Sequence, residues 1–399
     1  MAFHENYRRQ VALLLRAMPF IAEENCFGLK GGTAINLFVR DLPRLSVDID
    51  LTYLPLLPRA RALGAIDKAM RRIAARVQKA IRGSRIAHGT IEGAINKLFV
   101  REASVQVKIE VTPVMRGCAY EAELRTVSSA VEAAFGFAEM KVLSFPDLYA
   151  GKIVAALDRQ HPRDLFDVRD LLANEGIDDR LRAAFIVYLL SHNRPMAEVL
   201  AVRPKDISAE FVAGFQGMTA KPVTVEELIA ARAALVESIV TNMPQAHRRF
   251  LVSFESGAPD WELLAVPKAD RLPAVKWRQQ NLAKLTRNKR IALVGELEAV
   301  LQQPTTPTPL PDRVGATAKT CSGPSWRKYA LSKRPSTTPR GASRPASRTS
   351  ANAAQRAEPY VVLTVSVRLR QAAPPMAISA GAMPPASARR PARRNTSGA

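Results

Sequence analysis

The sequence predicts an α/β protein: a small mixed β-sheet flanked by helices, followed by a helical domain and a disordered tail. Three observations predict it. Short segments between positions 47 and 111 alternate apolar and polar residues, the period of half-buried strands. Segments 5–23 and 59–82 repeat apolar residues every three or four positions, the period of amphipathic helices. After Gln303 the chain loses both periods and changes composition.

In chain order, Val11, Leu14, Leu15, Met18 and Ile21 form the apolar stripe of a first helix. LKGGT (29–33) interrupts that pattern with two glycines, and AINLFVR (34–40) resumes as a short helix. VDIDLTY (47–53) is a strand with Val47, Ile49 and Leu51 on one face and Asp48, Asp50 and Thr52 on the other. Residues 59–82 form a long basic helix with Leu63, Ile66, Met70, Ile73 and Val77 inward. Strands follow at 85–91, 97–101 and 105–111, the last two joined by a short hairpin loop. From 121 to 303 the patterns are mainly helical, so the domains are a core at 1–120, a helical domain at 121–303 that closes a cleft, and a tail at 304–399.

The 399 residues carry a net charge of +22, which suggests a polyanionic partner. Most of that charge sits in the tail, where sixteen Lys and Arg face only Asp312 and Glu358, leaving +8 for residues 1–303. The tail also holds fourteen of the 28 prolines and too little apolar surface to offset ordering entropy, which predicts disorder. Cys26, Cys118 and Cys321 stand far apart without CxxC or Cys/His pairing, excluding a disulfide framework and a zinc site. With no signal-like N-terminus and no apolar run of 18 residues, the expectation is a soluble cytoplasmic protein without membrane contact.

The chemistry centres on Asp48 and Asp50. Carboxylates at i and i+2 of a strand point the same way and repel, and a divalent cation with hard-oxygen preference removes that conflict. Glu110, on the polar face of 105–111, supplies a third carboxylate from a neighbouring strand. The set Asp48, Asp50 and Glu110 suits a two-magnesium site, with manganese as the alternative, that clamps nucleotide phosphates. Fifteen residues before Asp48, the turn Gly31-Gly32-Thr33 allows close backbone approach to phosphate and adds a hydroxyl.

KGGTAINLF-VRDLPRLSVDIDLTY closely resembles the core of the AbiEii/AbiGii-type nucleotidyltransferase toxins of the DNA polymerase β-like superfamily. LYAGKIVAALDRQHPRDLFDVRDLL (148–172) resembles the same family's Lys…Arg-Asp-x-x-Asp segment, and the likeness spans roughly residues 10–300. The resemblance implies that Asp48, Asp50 and Glu110 hold metal and that Gly31, Gly32 and Thr33 cradle the triphosphate. It places Arg44 and Ser46 near the phosphates and gives Lys152 the task of neutralising phosphate charge. Asp164 would orient Lys152 or assist the acceptor hydroxyl, with Arg159 and Asp167 in support. It further implies transfer of NMP from an NTP to an acceptor hydroxyl, a tRNA 3′ end among the candidates. A cognate antitoxin and an abortive-infection role complete that picture.

Two other functions use the same residues. A kinase-like toxin would move the terminal phosphate through the same pocket, and a degenerate domain would bind nucleotide or a partner without turnover. The five histidines form no triad or HxxxH pattern, and Trp261 and Trp277 read as helix-packing residues. The basic helix, with Arg59, Arg61, Lys68, Arg71, Arg72, Arg76, Lys79 and Arg82, reads first as a solvated face and second as an RNA track.

Overall fold

In the computed structural model, residues 3–302 are described, and the tail from 304 onward lies outside them. The chain opens with α1 (Glu5–Ala22), followed by β1 (Phe27–Lys30) and a single turn, α2 (Gly31–Ala34), which widens into a π turn at Ile35–Val39. The expected helix at 34–40 is therefore this wider turn. It lets Asn36 reach back to the Gly32 carbonyl at 2.9 Å and across to Asp167 at 3.0 Å.

The central strand β2 (Asp48–Tyr53) leads to α3 (Arg59–Ala80), then β3 (Arg85–Ile91), β4 (Ala94–Glu102) and β5 (Val105–Thr112). Two strands, β6 (Glu123–Thr126) and β7 (Glu139–Val142), flank the short helix α4 (Ser129–Phe135). They fall where the sequence reads as mainly helical, being four residues each and too short to display a period. Both join the same sheet, which has seven strands in the order β3-β4-β5-β2-β1-β7-β6. It is mixed: β2 runs parallel to β5 and antiparallel to β1, and β1 runs parallel to β7.

One face of the sheet carries Ile49, Leu51, Leu98, Val107, Ile109 and Val111, all fully buried. Against it pack the apolar stripes of α1 and α3 in one continuous core. Four of the eight basic residues of the expected solvated face are ion-paired within the chain: Arg59 binds Glu92, Arg71 binds Asp67, and Arg72 and Arg76 bind Glu24.

The other face carries the charged residues and meets α5 (Phe145–Asp158) and α6 (Pro162–Asn174) through the turn after β1, with α7 (Asp179–Leu190) packed on α5. Ser144 caps α5 and His161 caps α6. Between those helices Gln160 adopts a left-handed φ of 54° and is 2% exposed. Its amide donates to the Arg203 carbonyl at 2.8 Å and accepts from Lys205 N and Arg232 Nη1. Later helices, including Val225–Val236 and Gln245–Glu255, complete the body. Trp261 packs against Phe250 and Phe254, whereas Trp277, read as a packing residue, is 53% exposed. Among the described residues no helix is long and apolar enough to cross a membrane.

Candidate active site

The register of β2 sets the site. Asp50 lies opposite Lys30 on one side and Glu110 on the other, while Asp48 lies opposite Lys108. Glu110 lies in turn opposite Lys97 of β4. A row of carboxylates and lysines thus crosses the face left free by α1 and α3, because residues paired across strands share a face.

Asp48 and Asp50 are half-buried, and neither carboxylate has a hydrogen-bond or ion-pair partner among the described residues. Burial pushes the Asp48 carboxyl above its usual range; Asp50 and Glu110 add to that, against the pull of Lys108 and Arg163. Glu110 is held differently. Lys97 Nζ lies 2.9 Å from its Oε1 and Lys108 Nζ lies 3.0 Å from its Oε2. Burial alone would raise its pKa, but these hydrogen bonds outweigh burial and lower it. Lys30, which sequence reasoning passed over, donates to Thr112 Oγ1 at 3.0 Å. Burial depresses its ammonium pKa against the attraction of Asp50 and Glu110.

The glycine turn is close-packed against this row. Gly31 has φ of 76°, and a Cβ there would stand 2.7 Å from Asp50 Oδ2. A Cβ on Gly32 would stand 2.7 Å from Arg44 Nη2 and 2.9 Å from Ser46 Oγ. Thr33 is 1% exposed; its hydroxyl lies 3.0 Å from Ser46 Oγ and donates to the Asp48 carbonyl. Thr33 thus faces inward and ties the turn to β2, while Gly31, Gly32 and Ser46 line the cleft.

On the opposite wall stands a buried ion network. Arg44, 1% exposed, donates from Nε and Nη2 to the two oxygens of Asp167 at 2.8 and 2.6 Å. Lys152 Nζ sits between Asp164 Oδ1 at 2.8 Å and Asp167 Oδ2 at 3.0 Å. Arg159 donates to both Asp164 oxygens, at 2.6 and 3.1 Å. Burial would raise both aspartates, but Lys152 for Asp164 and Arg44 with Lys152 for Asp167 pull them below the usual carboxylate range. The loop carrying Arg44 is pinned by a bridge to Thr219, with Leu45 N donating to the Met218 carbonyl.

The two walls enclose a cleft of about 670 Å³. Asp48, Asp50, Glu110, Gly31, Gly32, Arg44, Ser46, Lys152, Arg159 and Asp164 all line it; Thr33 and Asp167 lie behind its wall. Lys30, Lys108, His161 and Arg163 line it as well. Lys30 and Lys108 had a signal in the sequence, standing directly before the glycines and two residues before Glu110. Their approach to the carboxylates depends on strand register.

A glycine turn, an acidic strand pair and a buried ion network thus meet around one cleft. The profile described as nucleotidyl transferase AbiEii toxin, type IV toxin–antitoxin system, matches residues 12–279. The chain belongs to that family and is a nucleotidyltransferase toxin of a type IV toxin–antitoxin system. Comparison with curated proteins gives no match. Among solved structures, MenT4, a nucleotidyltransferase toxin from Mycobacterium tuberculosis H37Rv, is similar at 17% identity and a TM-score of 0.46. That likeness covers 75% of this chain and 95% of the other.

Proposed function

We propose that this nucleotidyltransferase moves NMP from an NTP to an RNA hydroxyl, a tRNA 3′ end by family resemblance, and releases pyrophosphate. In this reading Asp48 and Asp50, with Glu110 as third ligand, hold magnesium, or manganese in its place. The observation that carries it is the pair of unpartnered carboxylates on one face of β2, across the cleft from a cationic wall. Among the described residues no ready-made cluster of three metal-ligating side chains is found, since Glu110 is turned to its lysines. The donor set nevertheless suits the cation: Asp48 and Asp50 offer only hard oxygens, free of competing donors. Bound there, a divalent ion would neutralise phosphate charge and favour ionisation of the acceptor hydroxyl.

The chain's own residues do the rest. Gly31 and Gly32 keep side chains out of the path of the phosphates, and Ser46 offers a hydroxyl at the same wall. Lys152 places positive charge at the cleft surface, where it stabilises the negative charge that develops on the leaving group. Asp164 and Asp167 orient Lys152 and Arg44; with both Asp164 oxygens taken, its role is orientation and not service to the acceptor. Within the ion network three cations stand against two carboxylates, an excess of one positive charge, while Asp147 and Asp158, which also line the cleft, are engaged by Ser144 and Arg194. The seven-stranded sheet, which takes β6 and β7 from beyond residue 120, then acts as the core, and the helices from α5 onward form the wall that closes the cleft. An antitoxin restrains the protein in the cytoplasm.

The test is incubation with each α-labelled NTP and total RNA, then resolution of the labelled species. Label in RNA from the α-position supports the reading. Label in protein from the γ-position, with none from the α-position, would sink it in favour of phosphotransfer.

A further inference from the structure

The carboxylate row is matched by lysines from within the chain, although only Glu110 is ion-paired. Each of its three positions has a lysine on a neighbouring strand, set there by register: Lys30 opposite Asp50, Lys108 opposite Asp48, and Lys97 opposite Glu110. The three do not act alike. Lys30 is engaged by Thr112, whereas Lys97 and Lys108 each take one oxygen of Glu110. Glu110 is therefore fully occupied while Asp48 and Asp50 are not. A divalent cation approaching this row must displace two ammonium groups from its third carboxylate and meets their repulsion on the way. A triphosphate changes that balance, because it offers the displaced ammonium groups a new anion.

We propose that Lys97 and Lys108 are positioning residues that hold Glu110 back from the metal site until nucleotide arrives, so that the divalent cation enters with the triphosphate and not ahead of it. This rests on the reading of Asp48, Asp50 and Glu110 as ligands. Both lysines are partly exposed, at 38% and 32%, so they can leave Glu110 without unfolding the sheet. The consequence is a site with weak affinity for free cation, one that the nucleotide completes.

The experiment measures Mn2+ binding to the full chain at low ionic strength from the electron paramagnetic resonance signal of free Mn2+, with no turnover involved. Without nucleotide, the Lys97→Met/Lys108→Met double variant binds Mn2+ about three- to tenfold more tightly than the parent, the size expected for losing two partly exposed ion pairs. A non-hydrolysable NTP analogue tightens binding by the parent and shrinks that ratio toward one. Lys79→Met, which removes one positive charge from α3 behind the sheet and so matches Lys97→Met in charge, shifts binding much less than either lysine variant. Equal or weaker binding by the double variant overturns the inference, as does an equal gain from Lys79→Met. Should the double variant fail to fold by circular dichroism, Lys97→Met alone carries the test, with a gain of about twofold or more expected. Asp48→Asn and Asp50→Asn separate the two levels. If they abolish Mn2+ binding while the lysine variants change nothing, the metal reading stands and the lysine inference fails. If they leave Mn2+ binding intact, or if neither parent nor double variant binds Mn2+, the metal reading itself fails.

Discussion

The two walls of the cleft treat charge in opposite ways. On β2, Asp48 and Asp50 are half-buried and lack hydrogen-bond or ion-pair partners among the described residues; on α6, Asp164 and Asp167 are fully buried and accept hydrogen bonds from Lys152, Arg44 and Arg159. The same residue type therefore serves two ends. Uncompensated carboxylates cost stability and are available to a ligand, whereas compensated ones hold cations in fixed positions.

Removing a carboxylate should accordingly separate stability from activity. Asp167→Ala leaves Arg44 and Lys152 buried beside a void and should destabilise the protein by about 3–5 kcal/mol, read as a lower urea midpoint. Asp48→Asn should reduce nucleotidyl transfer by about a hundredfold or more. Its unfolding midpoint should stay level or rise, because like-charge repulsion is relieved. A large loss of stability in Asp48→Asn would erase the contrast. Gly32→Ala drives a methyl group against Arg44 and Ser46 and should cost about 1–3 kcal/mol. Melting temperature checks it, and a neutral result would mean that the turn yields more readily than its contacts indicate.

The smallest effect is a pH dependence with opposite signs on the two walls. Asp164 and Asp167 have folded pKa values below their unfolded ones, so their stabilisation is full above the ordinary carboxylate range and fades as pH falls through it. Asp48 has a raised folded pKa, so its destabilisation is full above that value and is relieved as pH falls through it toward the ordinary carboxylate range. The stability difference between Asp48→Asn and the parent should shrink from pH 7 toward pH 4. A constant difference would show that Asp48 carries no burdened charge.

Much of this was legible from period and spacing. Alternation in VDIDLTY puts both aspartates on one face, and Glu110 proves to be the direct cross-strand neighbour of Asp50. Other features were not local enough to read. The lysines at Glu110 come from hairpin register, and β6 and β7 are too short to carry a pattern. Thr33 has the residue type of a phosphate contact, yet packing against Ser46 and the Asp48 carbonyl turns it inward. The inward packing of Trp261 and the exposure of Trp277 likewise depend on tertiary neighbours.

Gln160 sits at the corner behind the ion network, between the helices that carry Lys152 and Asp164. A non-glycine residue at positive φ stores about 1–3 kcal/mol of backbone strain, and such a conformer persists only where its surroundings over-determine it. Here the surroundings are Arg203, Lys205 and Arg232, all from the chain beyond residue 200. The corner joining the helix of Lys152 to the helix of Asp164 is thus a strained joint, held from outside by residues that do not line the cleft. Loosening that hold would let the two helices change their mutual angle, and the spacing of the ion network would drift even with all five of its charges in place.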